Sequence, residues 1–435
     1  MSTPFLSPLS SFAQKPPLKN WAGNFTYSTT NISYPNSVEE IKTLVKKGGK
    51  LKMLGSRHCF NRIADSKVQL ISTKNLNKII SINSKASTVT IEGGMNYGQL
   101  CPLLQEKGFA LHNLASLPHI SVAGAITTAT HGSGVKNGNL STAVEALELM
   151  NADGDLVTLS KSKDPKKFYG AVVGLGAMGV ITKVTLALQP AFEMRQRVFL
   201  RLPVVALKDH FDEIMSSGYS VSLFIDWQTE FVNEVWIKSR MDDKANDAVK
   251  PDFFGARAAT HNVHPIVENS PENCTEQMGV AGHWYERLPH FKMGFTPSSG
   301  VELQSEYFIP RKDGYAAMMA VMKLGKLIGP HLFISEIRTI AADNFWMSPC
   351  HGQDSVTVHF TWKQEWDAVI KLLPLIEKAL EPFGARPHWG KINTIPASRL
   401  KYLYPKMEEF KTLAAGFDPR GKFRNEFLEE HLYTV

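Results

Sequence analysis

Alternating side chains on two predicted strands, 332–340 and 356–362, could bind a ligand that is rich in hydroxyl groups. Residues two apart on a strand face the same side. One face therefore presents a carboxylate, a guanidinium, an imidazole and a hydroxyl, from Glu336, Arg338, His359 and Thr361. An uncharged polyol suits such a wall, since each of its hydroxyls both donates and accepts a hydrogen bond. Taken alone, these residues fit a solvated ion pair and a structural histidine at least as well.

Three loops rich in glycine, serine and histidine could hold phosphate groups. They cover residues 54–61, 115–124 and 130–134. Backbone N–H groups and hydroxyls at glycine turns form anion-binding nests, although any one such loop is as readily an ordinary turn. Three of them between residues 54 and 134, together with the pair Gly93-Gly94, favour an extended cofactor that carries phosphate.

A fourth glycine motif is misleading. Residues 174–179 read G-L-G-A-M-G and match the dinucleotide fingerprint G-x-G-x-x-G. That fingerprint works after a strand and at the start of a helix, whose N-terminus then faces the pyrophosphate. Here a helix is predicted before the glycines and a β-branched strand, 180–185, after them. A nicotinamide site is therefore not expected, and the glycines indicate a close backbone approach at a turn or at a flat ligand.

The elements that position these residues suggest an α+β protein of two domains. Short strands and helices alternate up to about residue 190, and longer alternating strands follow with helices among them. We expect a flexible N-terminal tail over residues 1–18, a cofactor-binding domain over 19–190 and a substrate-binding domain with a mainly antiparallel sheet over 191–385. The C-terminal segment, 386–435, is expected to return to the first domain.

Composition excludes several classes of protein. The 435 residues carry a net charge of +7 without the dense basic and aromatic clusters of a nucleic-acid binder. No apolar run is long enough for a membrane span, so no membrane partner is expected. Four well-separated cysteines fit a reducing compartment and predict neither a disulfide framework nor a metal site. We expect a cytoplasmic monomer.

The motifs resemble a known family. The loop Gly55-Ser56-Arg57-His58, the stretch 115–134 and residues 174–182 are similar to the flavin domain of the vanillyl-alcohol-oxidase-type FAD family. Within it, the alditol oxidases are resembled most, through residues 20–24 (N-W-A-G-N), 114–124 (L-A-S-L-P-H-I-S-V-A-G) and 385–391 (A-R-P-H-W-G-K). The similarity extends over residues 19–427.

This resemblance implies an FAD held covalently through His58. A covalent bond to the isoalloxazine ring anchors the ring and raises its potential. The other cofactor contacts that the resemblance implies are Gly55, Ser56, Arg57, Cys59, Ser116, Ser121, Gly124, Thr130, His131, Gly132, Ser133, Gly179, Val180 and Ile181. Cys59 stands where serine is common in the family, and we expect it to be a small packing residue.

The resemblance also implies a reaction, in which the terminal C1 hydroxyl of an alditol such as xylitol or sorbitol is oxidised to the aldose. O₂ is then reduced to H₂O₂. Lys391, Arg338 and Glu336 are the implied catalytic residues, with Lys391 expected in a short strand beside Trp389. The implied substrate contacts are Ser116, Glu336, Arg338, His359, Thr361 and Lys391.

Other functions remain open at this level. A sugar-lactone oxidase or dehydrogenase of the same family would share the flavin loops and differ only in the substrate wall. A nicotinamide dehydrogenase built on residues 174–179 would produce a colourless protein. A flavin-containing sensor without turnover would not need the complete polar wall.

Overall fold

The computed structural model describes residues 17–243, 252–293 and 301–434. Most of the expected N-terminal tail therefore lies outside the described residues. Helices in the described ranges are Val38–Lys46, Tyr97–Glu106, Val122–Thr127, Pro165–Ala171, Ala206–Met215, Trp284–Arg287, Gly314–Met322, Gly325–Ile328, Trp366–Leu380, Ala397–Leu403, Met407–Phe417 and Glu426–Leu428. The first helix begins where the sequence predicts, since Ser37 Oγ accepts a hydrogen bond from the backbone N–H of Glu40 at 3.1 Å.

The first part of the chain contains two sheets on which the glycine-rich loops are mounted. A parallel sheet has the strands Ile32–Ser33, Gln69–Ile71 and Leu51–Met53 in that spatial order. An antiparallel sheet has the order Ile79–Asn83, Thr88–Glu92, Val180–Ala187, Val144–Met150 and Leu156–Ser160. A two-stranded pair, Phe109–Ala110 with Gln189–Pro190, closes this part.

The helix-then-strand order around the misleading glycine motif is confirmed. Helix Pro165–Ala171 precedes residues 174–179, and strand Val180–Ala187 follows them. The glycines therefore end a helix and lead into a central strand, the reverse of the order that binds a dinucleotide.

The second part of the chain forms a wide antiparallel sheet. Its spatial order in the described residues is Arg257–Ala258, Glu193–Pro203, Phe231–Arg240, Ser220–Ile225, Leu332–Ile340, Ser355–Lys363, Glu302–Pro310 and Arg386–Pro387, with Gly282–His283 also paired to Glu193–Pro203. One face packs on helices Ala206–Met215, Gly314–Met322 and Trp366–Leu380 around Trp362, Phe360 and Val358. The predicted α+β class with a mainly antiparallel sheet is confirmed.

The C-terminal helices pack against elements of the first part of the chain, which lie far from them in the sequence. Leu400, Tyr404 and Phe410 belong to the same apolar core as Ile126, Leu147 and Phe168. Strand Arg386–Pro387, by contrast, pairs with Tyr307 and Phe308 of the wide sheet. The boundaries at residues 190 and 385 stay predictions. Among the described residues, no helix combines the length and apolarity that crossing a membrane requires.

Candidate active site

A cavity of about 900 Å³ lies between the glycine-rich loops and the wide antiparallel sheet. One end is lined by the loops around Gly55, Ser121 and Gly179, and the other by the polar wall that contains Glu336 and Lys391. The cavity therefore joins the predicted cofactor loops to the predicted substrate wall in one continuous space.

The first loop, 54–61, is held against the third helix by a backbone contact. Ser56 Oγ accepts a hydrogen bond from the backbone N–H of Ser121 at 3.2 Å. Arg57 adopts a left-handed φ of 64°, which an arginine rarely occupies, and donates to the carbonyl of Lys19 at 3.1 Å. A strained residue of this kind persists only where its surroundings fix it, and here it turns the chain directly before His58.

His58 is paired with a second histidine. Its Nε2 lies 2.7 Å from Nε2 of His119, and Trp21 stacks on its ring with centroids 5.1 Å apart. Burial, assisted by His119, lowers the pKa of His58 to about 3, so the imidazole is neutral and keeps a lone pair. The buried Nδ1 atoms of both histidines have no hydrogen-bond partner within the protein.

Several glycines of the cavity wall allow close backbone approach. A Cβ on Gly94 would lie 1.8 Å from the carbonyl oxygen of Thr73, and one on Gly93 2.1 Å from that of Ile181. Gly179 has a φ of 141°, and a Cβ there would lie 2.1 Å from the carbonyl oxygen of Met150. The motif at 174–179 thus reflects a backbone turn at the edge of the cavity.

Most residues predicted to contact the cofactor are brought together along this cavity. Its lining includes Gly55, Ser56, Arg57, His58, Cys59, Ser116, Ser121, Gly124, Thr130, His131, Gly179, Val180 and Ile181. Gly132 and Ser133 lie elsewhere, beside a small separate cavity, and Ser133 Oγ donates to the carbonyl of Val221. Burial raises the pKa of the Cys59 thiol to about 11, consistent with a protonated packing residue.

The polar wall is aligned by the strand register. Glu306, His359 and Glu336 are direct partners across three neighbouring strands. Directly opposed residues have Cβ atoms about 5 Å apart, so the three side chains stand in one row across the sheet. Arg338 and Thr361 lie on the same cavity wall.

Arg338 is held between two carboxylates. Its Nη2 donates to Glu306 Oε1 at 2.7 Å, and its Nε lies 3.5 Å from Glu336 Oε2. Burial alone would raise the pKa values of both carboxyl groups, but the nearby cation holds them well below their usual range. Both glutamates are therefore ionised, and Arg338 is balanced from both sides.

Lys391 completes the wall, although one detail of its prediction is wrong. It lies in a turn after strand Arg386–Pro387, since Asn61 Nδ2 is bonded to the carbonyls of Trp389 and Lys391 at 2.8 Å each and holds this segment as a loop. Lys391 Nζ contacts Gln304 and lies 3.0 Å from His359 Nε2. Burial lowers the pKa of Lys391 to about 8, against the opposing effect of Glu306.

Glu306 and His290 also line the cavity, although they were not predicted from the sequence as site residues. Glu306 had a usable signal, because Glu302, Gln304 and Glu306 alternate on one strand and share a face. His290 follows a short helix in an irregular stretch, and no periodic pattern identifies it.

The cavity fits the FAD that the motifs imply. Buried polar atoms on its wall lack a partner within the protein, namely Nδ1 of His58, Nδ1 of His119, Oγ of Ser121 and Nδ1 of His359. Buried polar atoms are nearly always paired, so such a row marks a surface that a polar ligand completes. The loop end could hold phosphates, and the neutral His58 could carry the ring.

Comparison with known proteins agrees with an FAD site in this cavity. The FAD binding domain family matches residues 30–160, and the D-arabinono-1,4-lactone oxidase family matches residues 298–431. An alditol oxidase from a Streptomyces species is 44% identical, and the alignment covers 95% of this chain and 98% of that protein. An L-gulono-1,4-lactone dehydrogenase from Mycobacterium tuberculosis is 27% identical over the same shares of the two chains.

A solved structure shows the same fold. Cholesterol oxidase from B. sterolicum superposes with a TM-score of 0.76 over 98% of this chain and 100% of that one, at 14% identity. The predicted arrangement of an FAD-binding domain and a substrate domain is therefore confirmed, as is the resemblance on which it was based. The chain belongs to the alditol oxidase family, among the FAD-binding oxidoreductases of the vanillyl-alcohol-oxidase type.

Proposed function

We propose that this protein oxidises the terminal C1 hydroxyl of alditols such as xylitol and sorbitol to the aldose and reduces O₂ to H₂O₂. The observation that carries the proposal is the shared cavity, in which the His58 loop and a buried wall of ionised and neutral polar groups face one space. The 44% identity to an alditol oxidase over nearly the whole chain supports it.

FAD, when bound, supplies the hydride acceptor for the alcohol carbon and the electron donor for O₂. His58 is proposed to hold it covalently, because its imidazole is neutral and its Nδ1 has no protein partner. The remaining cofactor contacts are proposed for the predicted loop residues that line the cavity. Gly132 and Ser133 would act only indirectly, by shaping the loop after His131.

The polar wall is proposed to bind and orient the polyol. Glu336 accepts hydrogen bonds from substrate hydroxyls, while Ser116 and Thr361 can both donate and accept. Arg338 and Lys391 place positive charge where the alcohol oxygen becomes negative as it loses its proton, which lowers the barrier. His359, held by Lys391 at its Nε2, leaves its Nδ1 for a ligand.

A second candidate is a sugar-lactone oxidase or dehydrogenase. It is favoured by one observation, the match of residues 298–431 to the D-arabinono-1,4-lactone oxidase family, because that range holds most of the polar wall. Its named relatives are more distant, at 27% identity for the mycobacterial dehydrogenase.

The deciding experiment is the visible spectrum of the purified protein without oxygen, before and after xylitol, sorbitol or L-gulono-1,4-lactone is added. Bleaching by an alditol supports the proposal. Bleaching by the lactone alone supports the second candidate and contradicts the first. Peroxide formed on readmitting air separates an oxidase from a dehydrogenase.

Three further features belong to this proposal. A reducing, cytoplasmic location is proposed from the dispersed cysteines, all four of which are free and of which Cys101, Cys274 and Cys350 are buried. We also propose a monomer, and domain boundaries near residues 190 and 385. Light scattering of the holoenzyme and limited proteolysis test the last two.

A further inference from the structure

Next to Glu336 lies a pair of buried basic residues, His290 at the cavity wall and Lys238 packed behind it. Nε2 of His290 is 2.7 Å from Glu336 Oε1, and Nζ of Lys238 is 3.1 Å from Nδ1 of the same imidazole. Lys238 is 1% exposed and His290 6%. A charged group is buried this deeply only when hydrogen-bond partners replace the water that it loses.

The contacts of Lys238 are all with acceptors. Its Nζ donates to the carbonyls of Leu288 at 2.6 Å and Pro289 at 2.9 Å, and the third contact is Nδ1 of His290. Burial lowers the pKa of Lys238 to about 7, so the group is an ammonium below that pH. An ammonium has three N–H donors and no lone pair, so these contacts use it fully. Nδ1 of His290 must then accept, and the ring hydrogen resides on Nε2.

This tautomer gives Glu336 a fixed donor. The Nε2–H of His290 donates to Oε1, so this oxygen is engaged from behind, while Oε2 lies on the Arg338 side. The ring cannot swing freely, because Phe224 and Trp236 pack edge-on against it with centroids 5.5 and 5.3 Å away. Glu336 is thereby aimed into the cavity in its ionised form.

We propose that Lys238 and His290 are positioning residues for the polyol, acting through Glu336: Lys238 fixes the tautomer of His290, and His290 fixes the carboxylate that accepts substrate hydroxyls. This inference rests on the proposed alditol oxidation. It assigns Lys238, which is packed behind His290, a role in orienting the substrate that it exerts only through the relay Lys238–His290–Glu336.

A change in pH distinguishes this role from simple support of the fold. The charged groups that face His290 are Lys238 from one strand and Glu336 and Arg338 from another. Burial and Lys238 lower the pKa of His290 to about 4, so the ring is neutral in the intact protein. In a variant without Lys238 the pKa of His290 rises, so the ring becomes protonated more readily at low pH. A protonated ring carries hydrogen on both nitrogens and donates from Nε2 to Glu336, whereas a neutral ring does so in only one of its two tautomers.

The test compares the holoenzymes of Lys238→Met and the wild type with xylitol at pH 5 and pH 6.5, both below the pKa of Lys238. We expect kcat/KM of the variant to fall roughly 10- to 100-fold at pH 6.5, the size of one lost charged hydrogen bond, with a clearly smaller deficit at pH 5. Lys422→Met is the matched control, because Lys422 also donates to two carbonyls, of Val45 and Ala152, away from the cavity. Its kcat/KM should equal that of the wild type at both pH values.

A double-mutant cycle tests whether the effect passes through Glu336. In a Glu336→Gln background the carboxylate is absent, so adding Lys238→Met should lower kcat/KM little further. An equal cost in both backgrounds, or an equal deficit at both pH values, would overturn the relay.

Should Lys238→Met fail to fold, His290→Gln and His290→Leu decide the question. Glutamine presents an N–H to Glu336 and a carbonyl to Lys238, so it should retain most of kcat/KM, whereas leucine should lose roughly 10- to 100-fold. Equal activity of the two would overturn the inference. A wild-type flavin that no alditol reduces would overturn the proposed function itself, whereas a reducible wild type with unaffected variants overturns only the relay.

Discussion

Glu306 accepts a hydrogen bond from Arg338 at 2.7 Å, and the same carboxylate oxygen lies 3.1 Å from Nε2 of His131. Its other oxygen is 3.8 Å from Nζ of Lys391. Although burial raises the pKa of Glu306, Arg338 and His131 hold it well below its usual range. This single buried anion therefore balances both cations that are proposed to stabilise the reacting oxygen.

Replacing Glu306 by Gln should leave Arg338 and Lys391 with too little opposing charge. We expect the free energy of unfolding to fall by about 3 kcal/mol, as when one partner of a buried pair is lost, and kcat/KM for xylitol to fall about 100-fold. Denaturant unfolding and steady-state kinetics measure the two effects. Glu145→Gln, which breaks an exposed pair with Lys161, should change neither, and similar losses in both variants would contradict the role of Glu306.

Replacing His58 by Ala should abolish covalent attachment of the flavin. His58 is the proposed attachment residue, and alanine offers no nucleophile in its place. The measurement is the yellow fluorescence of the protein band after denaturing electrophoresis. His210→Ala removes an exposed histidine and should keep the fluorescent band. A fluorescent band from His58→Ala would place the bond on another residue.

Replacing Lys391 by Met should abolish turnover and leave the flavin in place. The ammonium contacts Gln304 and His359 on the substrate wall, and its loss removes positive charge where the alcohol oxygen becomes negative. Losing such electrostatic stabilisation costs on the order of 10²–10³ in kcat. Flavin absorbance and anaerobic reduction by xylitol are the readouts, and Lys363→Met, at a half-buried lysine at the end of a strand in the same sheet, is the control. Near-normal reduction in Lys391→Met would refute the role.

The activity of the wild type should decline as pH rises through about 8. Burial lowers the pKa of Lys391 to about 8, and the charged form is the one proposed to act. The cation is present below that pH and is lost above it, so kcat/KM should fall on the alkaline side. A pH profile with saturating oxygen tests this. A rise through pH 8 would instead assign the neutral amine the part of a base.

Much of the site could be predicted from the sequence, because its signals are local. Period-two alternation placed Glu336 with Arg338 and His359 with Thr361, and all four line one cavity wall. The order of helix and strand around residues 174–179 excluded a nicotinamide fold. This order could be predicted because it depends only on neighbouring residues. The long motifs at 54–61 and 114–124 carried the family itself.

Tertiary structure alone decided how distant strands meet. The register that sets Glu306 opposite His359, and His359 opposite Glu336, depends on strand pairing across residues far apart in the chain. Lys238 and His290 lie in different elements and have no shared pattern, so only folding brings the ammonium to the imidazole. The turn at Lys391 is likewise fixed by Asn61, 330 residues earlier, through hydrogen bonds that no local propensity encodes.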